Sequence, residues 1–115
     1  GQRCSGAEFR IGNSGLDVWV EGYATGLSAQ AAIARLKVPH VIHVCFSAGN
    51  LEAMAKAAGR GVVIADNDIS KAGEKAAIAS GLRYFLPPDS GTDFNDFHRA
   101  NGSFRASQAL RSLLR

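Results

Sequence analysis

Cysteine is scarce in this sequence: Cys4 and Cys45 stand alone, with no CxxC pair. That excludes a disulfide framework and a structural zinc, and it suits a reducing, cytoplasmic setting. Cys45 lies inside an apolar run and reads as a small buried hydrophobe, whereas Cys4 reads as a solvated thiol. Long apolar runs are lacking too, so no segment reaches membrane-spanning length and no membrane partner is expected. The opening residues, GQRCSG, carry no signal-peptide core. An initiating Met is missing as well, and the expectation is a piece of a larger protein. Acids disappear after Asp96, while Arg99, Arg105, Arg111 and Arg115 follow. With a formal net charge of only +3, those arginines read first as a solvated helix face and second as a weak attraction for polyanions. His40, His43 and His98 have no metal-ligand spacing, and His43 reads as a satisfied core or surface residue.

What is present fits one domain of 115 residues. Residues 1–17 are rich in Gly, Ser and Asn and form an N-terminal extension with loose structure or an edge strand around Phe9 and Ile11. From Val18 to the end, short apolar runs alternate with helical patterns. The runs are Val18–Val20, Val41–Phe46, Val62–Ala65 and Arg83–Leu86. Between the first two, Ala24, Leu27, Ala31 and Ala34 fall at helical spacing. Leu51, Met54, Ala55 and Ala58 mark a second helix ended by Gly59, and Lys71–Ser80 a third. Ser103 caps a last helix with Ala106, Ala109, Leu110 and Leu113 inward. Trp19 and Phe46 read as core anchors, not as base-stacking platforms, and Tyr84 as a core residue of the fourth strand.

This alternation predicts an α/β fold, about four parallel strands covered by helices on both faces. Right-handed crossovers with the first strand central put the third strand beside it and the second and fourth outside. Glu21 then ends one central strand, and Asp66 and Asp68 end its neighbour, facing each other across the switch point. Three carboxylates in one crevice repel one another and suit a hard divalent cation such as magnesium. The bland reading is that Asp66 or Asp68 merely caps the following helix. Asp93 and Asp96, three residues apart, either reach a second metal or the waters of the first, or form a turn with Asp93 as N-cap and Asp96 paired to Arg99. Lys71 and Lys75 are candidates for nucleotide or template phosphates, with Arg99 as a further one, against a solvated helix face.

Several ordered motifs resemble one family. The stretch VWVEGYATGLS, Val18 to Ser28, is similar to the strand-Glu-Gly motif of Toprim domains, shared by primases and topoisomerases. IADND, Ile64 to Asp68, with Gly73 and Ala76-Ala77 behind it, resembles that family's DxD motif and helix. Phe46–Ala53 and Gly91–His98 look like segments of the phage- and plasmid-type primase branch. The resemblance implies a Rossmann-like Toprim domain over residues 18–115. It implies Glu21 as general acid/base and metal ligand, and Asp66 and Asp68 as magnesium ligands, with Mn2+ able to substitute. The implied activity is nucleotidyl transfer for RNA primer synthesis, with single-stranded DNA template, ribonucleotides and the other domains of a primase or primase-helicase as partners. Alternatives are a metal-dependent nuclease on the same site, or a non-catalytic module binding nucleic acid or a replication partner. The tyrosine nucleophile of the topoisomerases is not expected here, since Tyr23 does not occupy that role.

Overall fold

The computed structural model describes residues 8–114; Cys4 and Arg115 lie outside them. In chain order the elements are β1 (Phe9–Ile11), β2 (Leu16–Val20), α1 (Tyr23–Arg35), β3 (His40–Val44), α2 (Ala48–Ala58), β4 (Val62–Ile64), α3 (Ala72–Ser80), β5 (Arg83–Phe85) and α4 (Phe94–Arg111). The sheet runs β1-β3-β2-β4-β5. Its last four strands are parallel and in the expected order. The fifth is an addition: β1 pairs antiparallel with β3, Phe9 opposite Val44 and Ile11 opposite Ile42. The chain forms no helix long and apolar enough to cross a membrane among the described residues.

Strand alternation sorts the core into two layers. Val18, Val20, Ile42, Val44, Val62 and Ile64 face α1 and α4, packing on Ala29, Ile33, Ala106 and Leu110. Trp19, Cys45, Val63 and Ala65 face α2 and α3, packing on Leu51, Ala55, Ala76 and Ala77. Both faces of a parallel sheet must be covered because its strands are apolar on both sides. Cys45 is fully buried, and burial pushes its thiol up to about 12, so it is chemically inert.

Four expectations fail here. Helix α1 does not bury Ala24, Leu27, Ala31 and Ala34; all four are exposed, and Thr25, Gly26, Ser28, Ala29, Ala32 and Ile33 face the protein instead. The inner face is built of small residues because the helix lies close to the sheet: a Cβ at Gly26 would stand 3.0 Å from Val44 Cγ2. Phe46 is not a core residue. Strand β3 ends at Val44, and the Phe46 ring is 59% exposed. Tyr84, on the edge strand β5, is 37% exposed and so is not a core anchor either. The last helix starts at Phe94, not at Ser103; Gly102 (φ 85, ψ 165) breaks it, and Ser103 Oγ meets His98 Nε2 at 3.0 Å across the kink. Phe94 and Phe97 open that helix against Phe85 of β5, with ring centroids 5.7 and 5.6 Å away.

Candidate metal and acid centre

The crevice lies at the C-terminal ends of β2 and β4, which are adjacent in the sheet. Glu21 follows β2 directly, and its carbonyl accepts a hydrogen bond from the Phe46 N–H at 2.7 Å, extending the β2–β3 pairing past both strands. Gly22 then caps α1 through its backbone alone, with no side-chain bond. Beyond β4 the chain leaves the sheet as Ala65-Asp66-Asn67-Asp68. Two close contacts hold that exit. A Cβ on Gly73, in the first turn of α3, would stand 2.4 Å from the Asp66 carbonyl oxygen, so only glycine lets the helix approach. The Thr25 hydroxyl, buried on the inner face of α1, donates to Asp66 Oδ1 at 3.2 Å.

Asn67, between the two aspartates, is the pin of the loop. It is buried, and its amide donates to the Pro87 carbonyl at 2.7 Å. Its N–H donates to the Thr92 carbonyl at 2.8 Å, and its own carbonyl accepts from the Gly91 N–H. Lys71 Nζ donates to Asn67 Oδ1 at 3.0 Å, from a left-handed residue (φ 65) that opens α3. The lysine therefore braces the loop by an amide and not by either aspartate.

Electrostatics shows which acids share the crevice. Burial raises the Asp66 carboxyl to about 6, helped by the charges of Glu21 and Asp93 and, more weakly, Asp68; the Thr25 hydroxyl opposes the shift. Glu21 is raised by burial and then by Asp68. Asp68 Oδ1 is buried with no hydrogen-bond partner. A carboxylate oxygen withdrawn from water without a donor is costly unless something outside the protein binds it. Among the described residues no three His, Cys, Asp or Glu side chains stand close enough together to chelate an ion in this arrangement. The donor set still fits a hard cation: it is all oxygen, burial makes its ionised form costly, and one oxygen lacks a partner.

The other candidates divide. Asp93 is electrostatically coupled to Asp66 and is the N-cap of α4, accepting from the Asp96 N–H at 2.8 Å. Asp96 closes the reciprocal half, accepting from the Asp93 N–H at 3.0 Å. The pair forms a capping box at the start of α4. Asp96 is exposed and borders a separate recess of about 140 Å3 with Pro88, Thr92 and Asn101. No ion pair joins it to Arg99 among the described residues. Lys75 and Arg99 are exposed on α3 and α4. Thr25, Asn67 and Gly73 were the positions that sequence reasoning left without a role. The one signal for Thr25 is the small polar pair Thr25 and Ser28, three apart, whose partner Ser28 donates to Asn95 Oδ1 at 2.9 Å and ties α1 to the start of α4.

A family model described as a Toprim domain matches residues 18–103, well over half of the chain. Toprim domains bind divalent metal ions, typically Mg2+, and act on nucleic acids. No curated protein and no solved structure matches the chain.

Proposed function

This chain belongs to the Toprim domain family, and we propose that it is the catalytic domain of a DNA primase of the phage or plasmid type. Its reaction would be magnesium-dependent nucleotidyl transfer, making RNA primers from ribonucleotides on single-stranded DNA. In this reading residues 18–115 are the domain, and the preceding extension lends β1 to its edge. The observation that carries the reading is the convergence of Glu21, Asp66 and Asp68 at adjacent strand ends, with Asp68 Oδ1 buried and unpartnered.

Asp66 and Asp68 would hold the ion, with Glu21 and Asp93 completing the acidic shell and Mn2+ able to serve instead. The chemistry supplied there would be neutralisation of charge on a transferred phosphoryl group and a lowered pKa for the attacking hydroxyl. The chain's own residues do the rest. Glu21, raised by burial and by Asp68, is shifted toward the pH range where a carboxyl both takes up and returns a proton efficiently. The Thr25 hydroxyl fixes the rotamer of Asp66, and Asn67 holds the loop so that both aspartates stay on the crevice. Lys71, Lys75 and Arg99 are assigned to phosphates of the nucleotide or template, and the remaining domains of the parent protein to gripping that template.

The test is Glu21→Gln in the full-length parent, reading ribonucleotide incorporation on single-stranded DNA. Activity is expected to fall roughly 10²–10⁴-fold. Mg2+ titration of the domain by NMR should still shift the amides of Gly22, Asp66 and Asp68. Unchanged primer synthesis would leave a non-catalytic binding module. Template cleavage instead of extension, lost in the same variant, would make the protein a nuclease.

A further inference from the structure

Phe46, two residues beyond the end of β3, departs from the buried strand residues before it in both backbone and burial. Its backbone is left-handed, with φ 71, a conformation uncommon outside glycine and a true outlier for a bulky side chain. Its ring is also 59% exposed, so the strain is not compensated by burial. The position is nevertheless held firmly. The Cys45 N–H donates to the Val20 carbonyl at 2.9 Å, and the Phe46 N–H to the Glu21 carbonyl at 2.7 Å. On the other side Ser47 caps α2, accepting from the Asn50 N–H at 3.0 Å. Backbone strain that persists in a well-anchored segment beside acids points to a use for the side chain.

Two further exposed aromatics lie toward the same end of the sheet as Glu21. Tyr23 lies two residues beyond Glu21 in the first turn of α1 and is 50% exposed. Phe9 of β1, opposite Val44 in the sheet, is 46% exposed and meets the Tyr23 ring edge-on, centroids 5.7 Å apart. Phe9, Tyr23 and Phe46 thus flank Glu21 on the β1–β3 side, while Asp66 and Asp68 follow β4 on its other side.

We propose that Phe46, with Tyr23 and Phe9, is a stacking platform for unpaired bases of a single-stranded nucleic acid whose backbone passes Glu21 toward the Asp66–Asp68 loop. This rests on the metal-dependent, nucleic-acid reading of the acids given above. An aromatic face accepts any base, which makes such a contact tolerant of sequence, and it requires bases free of a duplex stack. A protein partner fits less well: the centre of a protein interface is depleted of charge, whereas this aromatic row is bounded by Glu21 and the crevice acids.

The test is fluorescence anisotropy of a short labelled oligothymidylate in Mg2+, alongside an abasic strand with the same number of phosphates. Phe46→Ala is expected to weaken the oligothymidylate about 10-fold and to leave the abasic strand unchanged. Phe46→Trp should restore the affinity, with its emission quenched as the bases stack. Thermal unfolding should be unchanged in both variants, since the ring is exposed. Equal affinity of Phe46→Ala and the parent overturns the platform, as does equal weakening for both strands. Mg2+-induced NMR shifts at Gly22, Asp66 and Asp68, measured on the same samples, report the acid centre separately. A parent that shows no Mg2+ response has lost the metal reading, whatever Phe46→Ala does.

Discussion

On the sheet face that carries Trp19, Glu8 and Asp17 close on the two ring nitrogens of His43, at 2.8 Å from Nδ1 and 2.7 Å from Nε2. Arg10 binds Glu8, Arg60 binds Asp17 at 2.7 Å, and the imidazole stacks on Trp19 with centroids 4.0 Å apart. At the C-terminal ends of β2 and β4, by contrast, no ion pair reaches Glu21, Asp66 or Asp68 among the described residues. The two sets of acids respond oppositely. Burial alone would raise Glu8 and Asp17, but hydrogen bonds from Arg10 and His43 to the first, and from His43 and Arg60 to the second, hold both below the ordinary range. Burial raises Glu21 and Asp66, and neighbouring acids push the same way. One cluster satisfies its charges internally and so ties β1, β2 and β3 together. The other has no cation paired with it among the described residues, a pattern that recurs at functional sites.

The largest effect should come from breaking the satisfied cluster. His43→Ala removes the ring that bridges two largely buried carboxylates and stacks on Trp19. It is expected to cost about 3 kcal/mol of unfolding free energy in urea. A loss below about 1 kcal/mol would mean that Arg10 and Arg60 suffice alone, and the contrast between the two clusters would collapse.

The open cluster should behave in the reverse sense. In the metal-free protein Asp66→Asn removes a charge that folding disfavours, and the amide oxygen can still accept from Thr25. Stability at pH 8 is expected to rise by about 1–2 kcal/mol, discounted for partial exposure. The pH dependence follows. Asp66 titrates near 6 folded against 3.8 ordinarily, so between those values the unfolded chain binds fewer protons and stability falls as pH rises. Glu8 and Asp17, held low, add stability that is present above the ordinary carboxylate range and lost as pH falls through their folded values. The metal-free protein should therefore resist thermal unfolding most near pH 4 on account of these groups. The decline from pH 4 to 6.5 should shrink in Asp66→Asn, leaving the share of Glu21, which is also raised, and shrink when Mg2+ is added to the parent. A decline of equal size in the variant would assign it to other groups.

How much of this was legible beforehand depends on the kind of residue. The strand order and the facing of Glu21 to Asp66 and Asp68 follow from short, continuous apolar runs, because a strand buried on both faces has little else to be. The inner face of α1 was misread because its contacts are made by Thr25, Gly26, Ser28 and Ala29, whose hydropathy barely distinguishes inside from outside, while Leu27 faces out. Phe46 was misread because apolar character does not report that the strand has ended two residues earlier. Asn67, a neutral amide between two acids, carries no charge or hydropathy signal, although its four hydrogen bonds hold the loop in place. His43 was legible only as satisfied; its partners come from residues 35 and 26 positions away, which no local pattern encodes.

The smallest effect distinguishes the clusters most finely. Lys71 is the cation nearest in sequence to the two aspartates, yet its ammonium donates to Asn67 Oδ1 at 3.0 Å and it opens α3 in a left-handed conformation. In the satisfied cluster each cation neutralises an acid directly. Were Lys71 of that kind, its loss would cost stability and return an unpaired charge. We expect instead that Lys71→Gln, which can still donate to Asn67, changes stability by less than about 0.5 kcal/mol. If Lys71 meets phosphate as proposed, the slope of log affinity against log salt for a single strand should become shallower by roughly 0.7. A loss of about 2 kcal/mol with an unchanged slope would move Lys71 into the structural set, where the loop needs its charge and the nucleic acid does not.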